Sequence, residues 1–414
     1  MIDTIETKAI LKAGPAKRDG TTSVKQVVPQ MISGIRMRLR HFVLKTTLLR
    51  VAVQCYGDPV DWWRALRHLV QLRRRFLGDH RLQKMAIVAD KYYMGLYTPG
   101  WNSQVYRTFI ASQLNDFKPV RIKVNRFNTV FMAITKKCAL QCEHCYEWDQ
   151  LNRKDILSTE SLNLMVAQLQ GQGVSQIQFS GGEPLLKVDR LVQVLENARP
   201  GTEFWVATSG YPLNMENARS LKKAGLTGVI ISLDHHVPEK HNTFRGFKEA
   251  YQWVETAVCN AVENNLVTAL SLCATRDFIS MENLMAYMEL AKKLRVSFVQ
   301  LLEPKAVGHY ASQEVHLLPE QIAILEDFYL KLNFEKAYAE YPIVTYHGYY
   351  QRRQGCFSAG VKGLYVDTDG EMNACPFCHT QNGNLLADGF EERLENMRAS
   401  GCPSFLNKPV SHVF

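Results

Sequence analysis

The sequence lacks the apolar segments that would place it in a membrane or direct it to export. In this chain of 414 residues, no stretch approaches the roughly 18–20 consecutive apolar residues that a membrane-spanning helix needs. The first residues, MIDTIETKAILKAGPAKRDG, contain no compact apolar region and no Ala-x-Ala-like cleavage site, so the sequence predicts no secretory signal. Its 46% hydrophobic and 21% charged residues can form sizeable cores. We therefore expect a folded, cytoplasmic protein.

Acidic residues are scarce in the first third of the chain. Residues 1–120 contain 20 Lys and Arg against 8 Asp and Glu, whereas the net charge of the whole chain is +9. This excess predicts either a basic module that faces an anionic partner, such as a membrane, or a solvated basic face packed on the rest of the protein. We expect no nucleic-acid partner, because no basic and aromatic interleaving resembles a known nucleic-acid-binding module.

The ten cysteines do not read as a disulfide framework, because a cytoplasmic chain of this size rarely contains one. Their spacing carries more information than their number. Cys138, Cys142 and Cys145 form one tight group. A looser group lies near the C-terminus and contains Cys356, Cys375, Cys378 and Cys402.

The N-terminal third reads as a basic helical module over residues 1–120. Apolar residues recur at near-helical spacing from Met31 to Val53 and from Asp61 to Leu77, and a third helical stretch contains Val105 and Leu114. No hairpin signal is present in this part of the chain. The sequence therefore predicts helices alone for the module.

After this module, short β-like runs alternate with amphipathic helices. Six such repeats predict an α/β fold in which a parallel sheet curves into a partial (β/α)6 TIM-like barrel. The predicted strands are 128–135, 176–180, 204–208, 229–233, 267–275 and 297–302. The predicted domains are the N-terminal module, a core barrel over 125–310, a helical linker over 311–350 and a small C-terminal domain over 351–414.

The tight cysteine group follows directly on the first predicted strand, at the barrel edge where active sites lie. Three thiolates on one loop can hold three corners of an iron–sulfur cluster and leave one iron open. Zinc is the competing metal, but a structural zinc site needs four ligands and no fourth cysteine is adjacent. With His144 before the last cysteine, the Cys-x3-Cys-x2-Cys pattern resembles the signature of radical S-adenosylmethionine (SAM) enzymes.

Further segments resemble the SAM-binding motifs of that superfamily, each at the end of a predicted strand. Ser180-Gly181-Gly182-Glu183-Pro184 resembles the segment that binds the methionine amino group. Thr208-Ser209 and Ser232-Leu233-Asp234 stand where relatives contact the ribose and carboxylate, and His241 with Arg245-Gly246 resembles the continuation of the motif. The resemblance implies cofactor contacts by His144, Gly181, Gly182, Glu183, Pro184, Thr208, Ser209, Ser232, Asp234 and Arg245.

The C-terminal cysteines resemble the opening of SPASM and Twitch extensions, which hold auxiliary iron–sulfur clusters. Cys356 is followed by 13 residues, a glycine, four residues and Cys375, and Cys378 completes a Cys-x2-Cys. The resemblance implies one auxiliary 4Fe–4S cluster on Cys356, Cys375, Cys378 and Cys402. A structural zinc on the same thiolates is the alternative.

The resemblance implies an enzyme that reductively cleaves SAM to a 5′-deoxyadenosyl radical, which abstracts a hydrogen atom from an unactivated carbon. It also implies a flavodoxin- or ferredoxin-type electron donor and a peptide or other small-molecule substrate. The basic helices without a hairpin signal favour instead a different recognition module, or a lipid-like or phosphorylated substrate at a membrane surface. An iron–sulfur electron carrier or scaffold is the alternative. Within strand 267–275, alternation places Ser271 and Cys273 on the inner face. Cys273 is therefore a candidate hydrogen donor, with an inert buried cysteine as the alternative.

Overall fold

A computed structural model describes residues 30–402, which contain twelve strands and twelve α-helices. The strands are β1 (Gln30–Ser33), β2 (Lys84–Val88), β3 (Lys91–Tyr93), β4 (Phe127–Ala133), β5 (Val174–Ser180), β6 (Glu203–Thr208), β7 (Leu226–Ser232), β8 (Val267–Cys273), β9 (Phe298–Leu302), β10 (Ile343–Tyr346), β11 (Gly363–Val366) and β12 (Met372–Asn373). The helices are α1 (Gly34–Cys55), α2 (Pro59–Leu77), α3 (Gln104–Asn115), α4 (Thr159–Gln172), α5 (Val188–Asn197), α6 (Met215–Ala224), α7 (Pro238–Arg245), α8 (Ala250–Glu263), α9 (Met281–Lys293), α10 (Pro319–Phe334), α11 (His347–Gln354) and α12 (Phe390–Ser400).

Strands β4 to β9 are the six predicted strands, and they pair in parallel in chain order. The helices between them cover the outer face of the sheet, because the crossover between parallel neighbours needs a helix. Outward residues such as Leu270 and Leu272 join the main core with buried residues of these helices. The prediction of an α/β partial barrel is confirmed.

The barrel stays open on one side, because the sheet runs from β10 at one end to β12 at the other. Strand β10 pairs in parallel with β9, and Ile343 lies beside Phe298. The segment 311–350, which is predicted as a helical linker, therefore contains a strand of the barrel sheet in addition to its helices. The four residues of β10 are too few to show a period-two pattern, and only their neighbour β9 makes them a strand.

The C-terminal segment is built onto the barrel through β11, which pairs in parallel with the first barrel strand, β4. Leu364 and Val366 of this strand, and Leu394 and Met397 of α12, belong to the same apolar core as the barrel. This segment therefore shares the core of the barrel.

The N-terminal module contains a three-stranded antiparallel sheet as well as helices. The prediction of helices alone is wrong, because β2 and β3 form a hairpin. Its turn contains Ala89 at a φ of 54°, a conformation that turn signals normally assign to Gly or Asn. Within residues 30–402, no helix combines the length and the apolar character needed to cross a bilayer.

The hairpin closes the end of the barrel at which the strands begin. Ala86, Val88 and Tyr93 pack with Trp205 and Phe298 in one buried cluster. Nearby, the backbone N–H of Gly100 donates to Glu203, the first residue of β6, at 2.9 Å. Side chains therefore fill this end of the lumen.

Candidate active site

The loop after β4 carries Cys138, Cys142 and Cys145. The N–H of Cys145 donates to the carbonyl oxygen of Cys142 at 3.3 Å, and Arg245 approaches the Cys142 sulfur at 3.5 Å. Burial raises the pKa of Cys138 and of Cys145 to about 12 and also raises that of Cys142. These thiols are therefore protonated at neutral pH, and a bound cation must displace their protons.

A zinc ion and an iron–sulfur cluster place different geometric demands on the cysteine side chains. Among residues 30–402, no three His, Cys, Asp or Glu side chains converge as ligands of one metal ion. A zinc ion needs its ligands within about 2.0–2.3 Å of one point, whereas a cubane holds its thiolates on separate irons. The adjacent His144 stacks on Phe244, with ring centroids 4.9 Å apart, and its Nδ1 is buried without a partner.

The segment Gly181–Pro184 follows β5 and lies against the backbone that leads to Cys138. The N–H of Gly182 donates to the Thr135 carbonyl at 2.8 Å, and the N–H of Glu183 donates to the Lys137 carbonyl at 2.7 Å. A Cβ at Gly181 or Gly182 would collide with these carbonyls. Both glycines therefore permit contact between two loops of this chain, a role that the sequence did not indicate.

The buried carboxylate of Glu183 joins the ends of β5 and β6. It accepts hydrogen bonds from Thr208 Oγ1 at 2.7 Å, from the Ser209 N–H at 2.7 Å and from Ser209 Oγ at 2.6 Å. Its fourth donor is the N–H of Leu185 at 3.0 Å. Burial raises the pKa of Glu183, and these donors oppose that effect. Three residues from two predicted motifs thus form one hydrogen-bonded unit.

A second buried unit joins the ends of β7 and β8 to the cysteine loop. Asp234 pairs with Arg245 at 2.6 Å and accepts from the N–H of Cys273 at 3.0 Å. Burial alone would raise the pKa of Asp234, but Arg245, His144 and His241 bring it below its ordinary value. Since Arg245 also reaches Cys142, the ion pair holds the loop against the strand ends. His241 accepts from the Asp234 N–H at 3.1 Å.

Cys273 ends β8 and lines the main cavity together with Ser271 and Ser232. Leu270 and Leu272 lie in the outer core, as the alternation along this strand predicts. Burial raises the pKa of the Cys273 thiol well above its usual value. Cys273 is therefore a buried, protonated thiol that borders the lumen.

The four C-terminal cysteines border the same cavity. Cys378 donates its N–H to the Cys375 carbonyl at 3.0 Å, and the Cys356 and Cys402 side chains are hydrogen-bonded to each other. Burial raises the pKa of Cys375 to about 11. The fold thus brings together four thiols that are separated by up to 46 residues in the chain.

Sequence reasoning missed two groups that support the cysteine loop. His309 stacks on Trp148 at 3.7 Å between ring centroids, and its Nδ1 lies 2.9 Å from the Cys142 carbonyl oxygen. Lys136, which is buried, pairs with Asp369 of the C-terminal segment at 2.6 Å. Neither group has a sequence signal, because its members come from distant parts of the chain.

The fold and the site define a class: a partial α/β barrel with a three-cysteine loop after its first strand. Residues 132–294 match the family model of the radical SAM superfamily. The match covers less than half of the chain, and it shows that this part is similar to enzymes of that superfamily, which use SAM and a 4Fe–4S cluster.

Curated relatives match the chain over part of its length. Fe-coproporphyrin III synthase of Methanosarcina barkeri is 27% identical over 246 residues, which cover 57% of each chain. GTP 3′,8-cyclase of Campylobacter jejuni is 26% identical over 185 residues, which cover 43% of this chain and 57% of that protein. The chain thus spans less than two thirds of the length of either relative.

Solved structures share the fold. The structure of anSMEcpe with bound AdoMet, which is SAM, superposes with a TM-score of 0.50 and 20% identity, over 66% of this chain and 82% of that one. Streptococcus suis SuiB bound to the precursor peptide SuiA gives a TM-score of 0.52 and 10% identity, over 84% of this chain and 80% of that one.

Proposed function

We propose that this protein cleaves SAM reductively and uses the resulting radical to remove a hydrogen atom from an unactivated carbon of its substrate. The observation that carries the proposal is the three-cysteine loop, held by Gly182 and Arg245 at the carboxyl ends of the barrel strands. When bound, the cluster and SAM would supply a 5′-deoxyadenosyl radical. The protein's own part is to bind, orient and exclude water.

Cys138, Cys142 and Cys145 would hold the cluster. Segment 181–184, with Thr208, Ser209, Ser232 and His144, would border the SAM. Asp234 and Arg245 already satisfy each other, so we assign them to fixing the cysteine loop and shaping the SAM site.

Cys356, Cys375, Cys378 and Cys402 would hold one auxiliary 4Fe–4S cluster. Their position on the wall of the same cavity supports this proposal, because an auxiliary cluster there could exchange an electron with the substrate. Zinc on the same thiolates is the competing assignment. Anaerobically reconstituted protein should contain about eight irons, and the triad variant described below about four. About one zinc and about four irons per wild-type chain would instead support zinc at the four C-terminal cysteines.

Cys273 would donate a hydrogen atom to the substrate radical. Its position on the cavity wall supports this role, and burial keeps the S–H bond intact at neutral pH. The donation breaks S–H and forms C–H. One electron and one proton, supplied by the external donor and solvent, would then restore the thiol.

The partners follow from this chemistry and from the surface. A flavodoxin- or ferredoxin-type protein would supply electrons. SuiB is solved with a precursor peptide, which supports a peptide as one candidate substrate. The basic, apolar N-terminal helices favour a lipid-like substrate and contact with an anionic membrane.

A triple Cys→Ala variant of the triad tests the central proposal. Wild-type protein with reductant and SAM should form 5′-deoxyadenosine, and the variant should form none while its thermal unfolding stays cooperative. Cys259→Ala, which changes an exposed cysteine on α8, is the matched control and should retain the activity. Product formation by the triad variant would refute the proposal. A wild type that binds iron yet never cleaves SAM would favour the electron-carrier alternative.

A further inference from the structure

Helix α1 has two apolar faces on opposite sides, and only one of them is packed. Met37, Val51, Ala52 and Cys55 are buried against the N-terminal core. The other face is an exposed apolar stripe, because its residues recur at helical spacing. Its members are Ile35, Leu39, Phe42, Leu49 and Val53, and the first three keep 75%, 66% and 70% of their surface exposed.

Helix α2 extends this apolar surface. Trp63 is 71% exposed and Val70 is 49% exposed. Both residues border the same cavity as Phe42 and Leu49 of the stripe. We call the stripe together with Trp63 and Val70 the docking surface. A large tryptophan in solvent is costly unless a partner covers it, and an amphipathic partner such as a lipid interface suits the indole ring.

The docking surface is flanked almost entirely by positive charge. Helices α1 and α2 together contain ten arginine and lysine residues and one acidic residue, Asp61. That carboxylate is already engaged by Lys118 at 2.5 Å. Helices with exposed Trp, Phe and Leu beside Arg and Lys bind in the plane of an anionic bilayer, where each cation near the surface contributes about 1 kcal/mol. Charge complementarity therefore favours an anionic membrane.

A single cavity of about 2100 Å³ connects this surface to the barrel lumen. It passes the open side of the sheet, where Phe76 of α2 packs against Tyr350 and Phe357. This volume exceeds the roughly 300–1000 Å³ of a pocket for one small molecule, and His144, Ser232 and the four C-terminal cysteines also border the cavity. The lumen is thus in contact with the outside through the N-terminal helices.

The cavity changes character along its length. Between α1, α2 and α3 its wall is mostly apolar, and the polar side chains His41, Lys45, Arg73 and Gln113 lie beside Leu44, Leu48, Leu66, Leu69, Phe109 and Ile110. Inside the barrel its wall is polar and includes Gln178, Ser232, Ser271, Gln300 and Lys305. A peptide backbone in this mostly apolar section would find few partners for its polar groups. Acyl chains fit the apolar section, and a polar head group fits the lumen.

We propose that α1 and α2 dock on an anionic bilayer and that the cavity takes one of its lipids as substrate. The head group enters the lumen, and the acyl chains remain between α1, α2 and α3. This inference rests on the proposed radical chemistry for the reaction itself, whereas docking and lipid uptake need neither reductant nor SAM.

Flotation of the anaerobically purified full chain with phosphatidylglycerol vesicles tests the docking. Wild type should float with these vesicles and not with phosphatidylcholine vesicles, and salt should weaken the binding. Phe42→Asp and Trp63→Asp should each reduce binding by about tenfold or more. Leu164→Asp is the matched control, because Leu164 is 60% exposed on the outer helix α4, and it should bind like wild type.

Phosphatidylglycerol with a diazirine in either part tests the uptake. A diazirine on the acyl chain should label peptides of α1, α2 and α3, and one on the head group should label β8 or β9. The triad Cys→Ala variant should show the same labelling, which separates this inference from the proposed SAM chemistry. The inference would be overturned if the wild type did not float, or if it floated without labelling of the lumen. The cavity would then bind a peptide or another small molecule.

Discussion

Replacing Gly182 by alanine should disable the active site with little effect on the rest of the fold. A Cβ at this position would overlap the carbonyl of Lys137, one residue before the first cysteine. The loop of Gly182 and the loop of Cys138 would have to separate. The substitution therefore acts on the cysteine geometry through backbone contact alone.

The expected cost follows from two hydrogen bonds. Gly182 donates to Thr135 at 2.8 Å and Glu183 donates to Lys137 at 2.7 Å, and each such bond contributes about 0.5–1.5 kcal/mol net. Their loss should lower the free energy of unfolding by about 1–3 kcal/mol. A displacement of about 1 Å at the cysteine loop should lower SAM cleavage by about a hundredfold.

Gly201→Ala is the control, because Gly201 has a φ of 113° and open space around its Cβ position. It should lose about 1 kcal/mol from backbone strain and keep full activity. Urea unfolding, iron content and the rate of 5′-deoxyadenosine formation measure the three effects. Equal behaviour of the two variants in iron content and activity would refute the argument.

Two further predictions concern buried groups at the two ends of the barrel. Burial lowers the pKa of Lys84 to about 7. Above this pH the unfolded chain therefore binds more protons than the folded one, and the free energy of unfolding should rise by about 2 kcal/mol between about pH 7 and 9. In urea unfolding, the Lys84→Met variant should show a smaller rise of the free energy of unfolding with pH, and it should be more stable than wild type at pH 7. An unchanged rise with pH would contradict our conclusion that the Lys84 amine is buried and neutral. The Cys273→Ala variant should still form 5′-deoxyadenosine, but its substrate radical should stall or give another product. An unchanged product yield would mean that Cys273 only packs in the barrel.

Local pattern was sufficient for the barrel strands, and it also selected the candidate site motifs. The strands β4 to β9 are buried runs of five to seven residues. Such strands can be recognised in a sequence because their residues are either continuously apolar or alternate between apolar and polar. The cysteine triad and the segment Gly181–Pro184 were recognisable because the chemistry that we propose for them needs fixed residue types at short spacing. Sequence alone therefore predicted the class of chemistry and its position at the strand ends.

Tertiary structure decided what these residues contact. Glu183 binds Thr208 and Ser209, and Arg245 joins Asp234 to Cys142, because strand ends that are distant in sequence meet at one edge of the sheet. The hairpin of β2 and β3 and the short strand β10 exist because neighbouring segments complete their hydrogen bonds, which no local pattern encodes. The cavity from the docking surface to the lumen arises in the same way, since its wall combines residues from α1 to the last cysteine.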